Sequence, residues 1–208
     1  MQPVALPLRS QLFDVGEPPR YVHLLTSGQA SIVAALSGGQ MVEVSLVGRD
    51  GFPEALHLLG PLSGEMRCFM QVEGTALRME FRRFKDEFER NETLRNLVLR
   101  YVQYGTLITS QLAACNRLHD VEQRLARWLL MAHDRVGTRS LPLTHDFLAI
   151  MLGTDRPSVT LAAGVLQQEK AIQYGRAAVD VLDREKLEMS ACECYGVVQQ
   201  LNGQLGLK

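Results

Sequence analysis

The sequence predicts an α+β chain of two unlike parts, a small antiparallel barrel or sandwich followed by a helical remainder. Three observations lead there. The first 85 or so residues hold short apolar or alternating runs cut by glycine and proline. From Asn91 no proline occurs until Pro142, and apolar residues recur at steps of three and four. A helix, a glycine and a second helix are then spaced around Gly153.

The expected strands are Tyr21 to Leu25, Ala30 to Leu36, Met41 to Val47, Arg67 to Val72 and Ala76 to Phe81. Breaks fall at Ser27-Gly28, Ser37-Gly38-Gly39, Gly48 to Gly51, Gly60 to Gly64 and Glu73-Gly74. Val42, Val44 and Leu46 alternate with Glu43 and Ser45, as in a strand with one buried face. Ser37-Gly38-Gly39-Gln40 is short enough to close a hairpin.

Leu94, Leu97, Val98, Tyr101, Ile108, Leu112, Cys115 and Leu118 predict one long amphipathic helix. About 25 helical residues would span about 38 Å, more than a small barrel is wide, so the apolar face needs another surface. Asp120 and Gln123 form a candidate capping box for a helix from Val121 to Arg135, with Leu125, Trp128, Leu129 and Ala132 on one face and Gly137 ending it.

Thr144 can cap a helix running to Leu152. Asp155 can cap another from Arg156 to about Gln168, with Pro157 tolerated in the first turn. Gly153 suits the turn between them, and Ala149 suits a close helix crossing. Leu148, Leu152, Val159 and Ala162 fall inward, which leaves Arg156, Ser158 and Thr160 outward, able to meet base edges or phosphates. Ile172 to Tyr174 and Val179 to Leu182, joined through Gly175-Arg176, read as a hairpin that makes this a winged helix-turn-helix. A terminal helix through Leu187 to Leu201 follows. An ordinary helical corner within a core satisfies the same apolar spacing.

In this order the chain resembles the Crp/Fnr family. The resemblance rests on Tyr21-Val-His-Leu-Leu-Thr-Ser-Gly28, Val42-Glu-Val-Ser-Leu-Val-Gly-Arg-Asp-Gly51, Val121-Glu-Gln-Arg-Leu-Ala-Arg-Trp128, Leu143-Thr-His-Asp-Phe-Leu-Ala-Ile-Met-Leu-Gly153 and Arg156-Pro-Ser-Val-Thr160. It implies a β-roll sensor, similar to cyclic-nucleotide-binding domains, over residues 1–90. A dimerisation helix over 91–118 and a winged helix-turn-helix DNA-binding domain over 119–208 complete it. The implied partners are double-stranded DNA, a second copy of the chain and RNA polymerase. Thr144 and His145 would meet phosphate, and Arg176 on the wing would touch the backbone. The hinge would lie around Arg117 to Asp120.

Two departures bear on the effector. Nucleotide-binding members grip the ribose with Gly-Glu and the cyclic phosphate with Arg-Ser or Arg-Thr. This chain offers Pro53-Glu54 and Arg67-Cys68 at the nearest matches. Proline lacks a backbone N–H, and a thiol is a weaker donor than a hydroxyl, which argues against a cyclic nucleotide. Glu54, Arg67 and Cys68 are therefore the candidate effector contacts, with the effector itself unassigned.

The sequence gives no sign of a metal site or an enzyme. Cys68, Cys115, Cys192 and Cys194 contain no CxxC pair, and the five histidines show no HxH or HExxH spacing. On one helix Cys192 and Cys194 would diverge by about 200° and not share an ion. No Ser/His/Asp or Cys/His arrangement is legible. No apolar run reaches the roughly 20 residues of a membrane span, and the start (Met1, Gln2, Pro3, Val4) lacks signal-peptide order, so a cytoplasmic location is expected. Formal charge is −1, and of the segments 1–92, 93–137 and 138–208 the middle one alone has a basic excess, six residues against three. From Arg139 to Arg176 the balance is four basic to three acidic, a modest footprint for a DNA-binding module. The competing expectation is a small-ligand-binding or scaffold protein whose helix-turn-helix no longer binds DNA.

Overall fold

The computed structural model describes residues 1–60, 65–175 and 178–204. A five-stranded antiparallel sheet comes first: β1 (Gln2–Leu6), β2 (Gln11–Phe13), β3 (Tyr21–Ala35), β4 (Met41–Val47) and β5 (Met66–Glu80). Its path is β1-β5-β3-β4, with β2 also on β5. The Ser37 to Gln40 hairpin forms as expected, pairing Ala35 with Met41.

The expected breaks at Ser27-Gly28 and Glu73-Gly74 are bulges within two continuous 15-residue strands. Register shifts occur between Leu25 and Gln29, opposite Gly74. The cause is close backbone approach: a Cβ on Gly28 would lie 2.6 Å from the Glu73 carbonyl oxygen, and one on Gly74 would lie 2.1 Å from that of Ser27. The glycines let two backbones meet while the strands continue through the bend. Helix α1 (Phe81–Arg90), which the strand reading missed, then buries Phe84 and Phe88 against Val22, Phe52 and Val98.

Helix α2 (Glu92–Leu118) is the predicted long helix, its start fixed by the Asn91 side chain accepting from the Leu94 N–H at 3.0 Å. Its apolar residues divide between two faces. Val98, Tyr104, Ile108 and Cys115 are buried within the chain, whereas Leu97, Leu99, Leu107 and Leu118 are exposed. Ile108, expected in the outward stripe, belongs to the chain's own core.

Helix α3 (Val121–Val136) is the centre of the molecule. The Asp120 N–H donates to Gln123 Oε1 at 3.3 Å, and Gly137 ends the helix with a positive φ of 70°. Leu125, Trp128, Leu129 and Leu130 are almost wholly buried, between the sheet on one side and the following helices on the other. Trp128 is core, as expected, but its indole N–H also donates to Glu43 Oε1 of β4 at 2.6 Å. Arg135, at the other end of α3, pairs with Asp50 at 3.1 Å.

Beyond β6 (Ser140–Leu141) come α4 (His145–Leu152) and α5 (Arg156–Gln168), then β7 (Ile172–Tyr174) and β8 (Val179–Val181). The last three-stranded sheet runs β6-β8-β7. The predicted terminal helix is two helices, α6 (Arg184–Ser190) and α7 (Cys194–Gln204). Ala191 is extended (ψ 150°), which breaks the helix just before Cys192. Among the described residues no helix is long and apolar enough to cross a membrane.

Candidate nucleic-acid interface and effector cavity

The α4–α5 unit is fixed at both helix starts and at the turn. Thr144 Oγ1 accepts from the Phe147 N–H at 3.2 Å, and Asp155 Oδ1 accepts from the Ser158 N–H at 2.8 Å. Gly153 takes the left-handed conformation, with φ 59° and ψ 45°. The buried Arg124 guanidinium of α3 donates to the Leu152 carbonyl, meeting a C-terminal acceptor of α4 that the helix leaves open. Leu148, Leu152, Val159 and Ala162 all face inward as expected, and Ala163 and Leu166 complete the buried face.

What remains outside is a narrow mixed surface. The Arg156 side chain is 64% exposed and pairs at 3.5 Å with Asp146 of α4, itself exposed. Thr160 Oγ1 donates to the Arg156 carbonyl at 3.0 Å and lies 2.9 Å from His145 Nδ1. The His145 ring rests on Tyr174 of the wing, with ring centres 4.1 Å apart. Burial, and then the positive charge of Arg156, hold the His145 imidazole below its ordinary pKa and favour the neutral ring. Ser158 is half-buried, its hydroxyl donating to Asp155 Oδ2 at 2.9 Å, and these hydrogen bonds keep the Asp155 carboxyl low. Asp155, Ser158 and Thr160 are thus tied locally, while Arg156 projects on a long flexible stem.

A cavity of about 390 Å³ lies between the roll and α2. Its wall is mainly apolar, with Ile32, Val44, Phe52 and Met66 on one side and Tyr101 and Val102 on the other. None of the three effector candidates from the sequence lines it. The Glu54 carboxylate is fully buried and occupied by His23, accepting from its N–H at 3.1 Å and meeting Nδ1 at 2.8 Å. Arg67 Nε donates to Asp14 at 2.7 Å, outside the cavity. Cys68 is sealed in the roll core, and burial pushes its thiol pKa up.

Several solved structures share this fold over most of its length. FixK2 from Bradyrhizobium japonicum superposes with a TM-score of 0.75 at 12% identity, covering 92% of this chain and 97% of its own. A CRP-family transcriptional regulator from Thermus thermophilus gives 0.74 at 21% identity, over 92% and 96%. Residues 123–190 match the model of the Crp-like helix-turn-helix domain. The global nitrogen regulator of Synechococcus elongatus is 26% identical over 183 residues, 83% of this chain and 82% of that protein. Over most of its length the chain is thus similar to regulators of the Crp/Fnr type, and residues 123–190 carry the match to the Crp-like helix-turn-helix.

The sequence-predicted residues Thr144, His145, Arg156, Ser158 and Thr160 gather on one face of α4–α5, and Arg176 lies outside the described residues. Sequence reasoning missed Leu161, 74% exposed, and Gln168, both on the outer side of α5. For Gln168 the signal was available, since Thr160, Gly164 and Gln168 follow Arg156 at steps of four. It also missed a convergence of Cys115, His119, Cys192 and Cys194, whose ligand atoms all lie within 4.8 Å of one another. The expectation that Cys192 and Cys194 diverge assumed one continuous helix, and the break at Ala191 removes that assumption.

Proposed function

We propose that the protein is a sequence-specific DNA-binding regulator of transcription, acting as a homodimer on an inverted-repeat site. Residues 1–90 would serve as the sensor, 91–118 as the dimerisation helix and 119–208 as the DNA-binding domain. The observation that carries this reading is the exposed face of α5 beginning at Arg156, on a helix whose opposite face is fully used in packing. A helix held so firmly on one side and presenting polar groups on the other is suited to a major groove. Arg156, released from Asp146, has the reach for a bidentate contact to guanine O6 and N7. Ser158 and Thr160 address bases or adjacent phosphates. Thr144 and His145, at the start of α4, address the phosphate backbone, and a backbone contact is assigned to Arg176 as well.

The dimer contact follows from the exposed α2 face. Leu99, Leu107 and Leu118 lie on it with Thr106, Ser110 and Ala114, small residues that permit close helix approach. The effector would occupy the cavity beside Tyr101 and Val102, where the lining favours a small, largely apolar molecule over a cyclic nucleotide. A ligand there touches both the roll and α2, so it can bias their arrangement. RNA polymerase contact belongs to this reading as the means by which a bound regulator alters transcription.

The test compares two variants on the site that the wild type selects. Arg156→Ala should flatten base preference at one symmetric position in each half-site, a loss of about 1–3 kcal/mol in discrimination. His145→Ala should weaken all sequences alike. If Arg156→Ala leaves every base preference intact, α5 is architectural and a scaffold role replaces this one.

A further inference from the structure

We infer that Cys115, His119, Cys192 and Cys194 form a binding site for one zinc-class divalent ion at the joint between α2 and α3. Cys115 and His119 stand four residues apart at the end of α2, so both side chains leave the same helix face. Cys192 lies in the non-helical link after α6 and Cys194 opens α7, and all three thiols are buried.

The spacing fits one ion. Tetrahedral zinc, with bonds of about 2.3 Å to sulfur and 2.0–2.1 Å to nitrogen, sets neighbouring ligand atoms about 3.5–3.8 Å apart. Here Cys115 Sγ lies 3.5 Å from Cys192 Sγ, and Cys194 Sγ lies 3.7 Å from His119 Nδ1. An iron–sulfur cluster, with cysteines on different irons, needs a wider set than these four atoms give. The other ring nitrogen of His119 faces Glu193, 3.1 Å from Oε2, as metal-bound imidazoles commonly face a carboxylate. Three thiolates around one divalent ion leave a net negative charge. The buried guanidiniums of Arg124 and Arg127 stand near enough to interact with Cys115 and offset it. Soft thiolates with one imidazole select zinc-like ions over magnesium or calcium. A bound ion would pin the end of α2 to the α6–α7 link and so fix the angle at which the helix-turn-helix leaves the long helix.

The test strips the full-length reduced protein with a chelator and titrates it with cobalt(II), then zinc. One ion per chain is expected, with the intense visible bands of tetrahedral thiolate-bound cobalt, lost on adding zinc. Cys194→Ser should abolish stoichiometric uptake, Glu193→Gln should weaken it about 10–100-fold, and Cys68→Ser should leave it intact. Glu193 is exposed, so its variant remains informative if Cys194→Ser fails to fold. Six-coordinate cobalt spectra, uptake that survives in a Cys115→Ser/Cys192→Ser double variant, or a reduced protein that takes up no ion and instead forms a Cys115–Cys192 disulfide in air would each overturn the proposal.

Discussion

Glu43→Gln should remove a pH-dependent weakness from the junction between the roll and α3. Ser31 Oγ lies 2.6 Å from Glu43 Oε2 and 2.8 Å from Gln71 Oε1, and its single proton cannot serve both acceptors. The contacts are satisfied together when Glu43 is protonated: its O–H donates to Ser31, Ser31 donates to Gln71, and Oε1 accepts from Trp128. Burial accordingly raises the Glu43 carboxyl from 4.5 to about 7, against opposing hydrogen bonds from Ser31 and Trp128 and the charges of Arg127 and Arg135. Because the folded-state value is the higher one, the folded protein binds the extra proton between the two values. Stability then falls as pH rises from about 4.5 through about 7. At about 1.4 kcal/mol for each tenfold change in proton affinity, the cost above neutrality is at most about 3.5 kcal/mol. Glu43 is only half-buried as a residue, so solvent screening lowers this figure. Glutamine presents the same acceptor to Trp128 and a donor to Ser31 at every pH. Urea unfolding at one protein concentration, followed by the fluorescence of Trp128, the sole tryptophan, measures the effect. Glu43→Gln should match wild type near pH 5 and exceed it by up to about 3 kcal/mol near pH 8. An equal difference at both pH values would refute the protonated junction.

Two further substitutions separate the faces of α2. Leu107→Glu should convert the dimer to monomers in sedimentation while leaving the monomer folded, because Leu107 is exposed. Ile108→Ala should instead lower unfolding stability by about 2–5 kcal/mol, as a cavity in the chain's own core would. Calorimetric titration with cyclic AMP or cyclic GMP should show no saturable heat at millimolar ligand, given the engagement of Glu54 with His23 and Arg67 with Asp14. Saturable binding abolished by Arg67→Ala would show that the roll retains a phosphate grip.

Much of the fold was legible because the deciding signals are local. Thr144, Asp155 and Gly153 announce the two helices and their turn through capping and a left-handed conformation, which depend on neighbours a few residues away. Inward Leu148 and Val159 follow from the same periodicity. The errors arose where distant partners decide. Gly28 and Gly74 read as turns, yet each serves the backbone of the other's strand some 46 residues away. Position alone singles out Glu54, Arg67 and Cys68, and their partners His23, Asp14 and the roll core lie too far along the chain for spacing to show. Ile108 fits the outward stripe by spacing, but the packing of β4 and α7 on α2 turns it inward. The cysteine convergence joins the end of α2 to the α6–α7 link, with Cys115 and Cys192 separated by 77 in sequence, so spacing rules for compact motifs pass over it.

Selection of the purified wild-type protein against a random duplex pool tests the central claim most directly. A two-fold dimer that presents one α5 to each half-site should enrich an inverted repeat, its half-site centres about one helical turn, or about 34 Å, apart. A pool that yields no enriched sequence, or a single motif without two-fold symmetry, would contradict the proposed mode of DNA recognition.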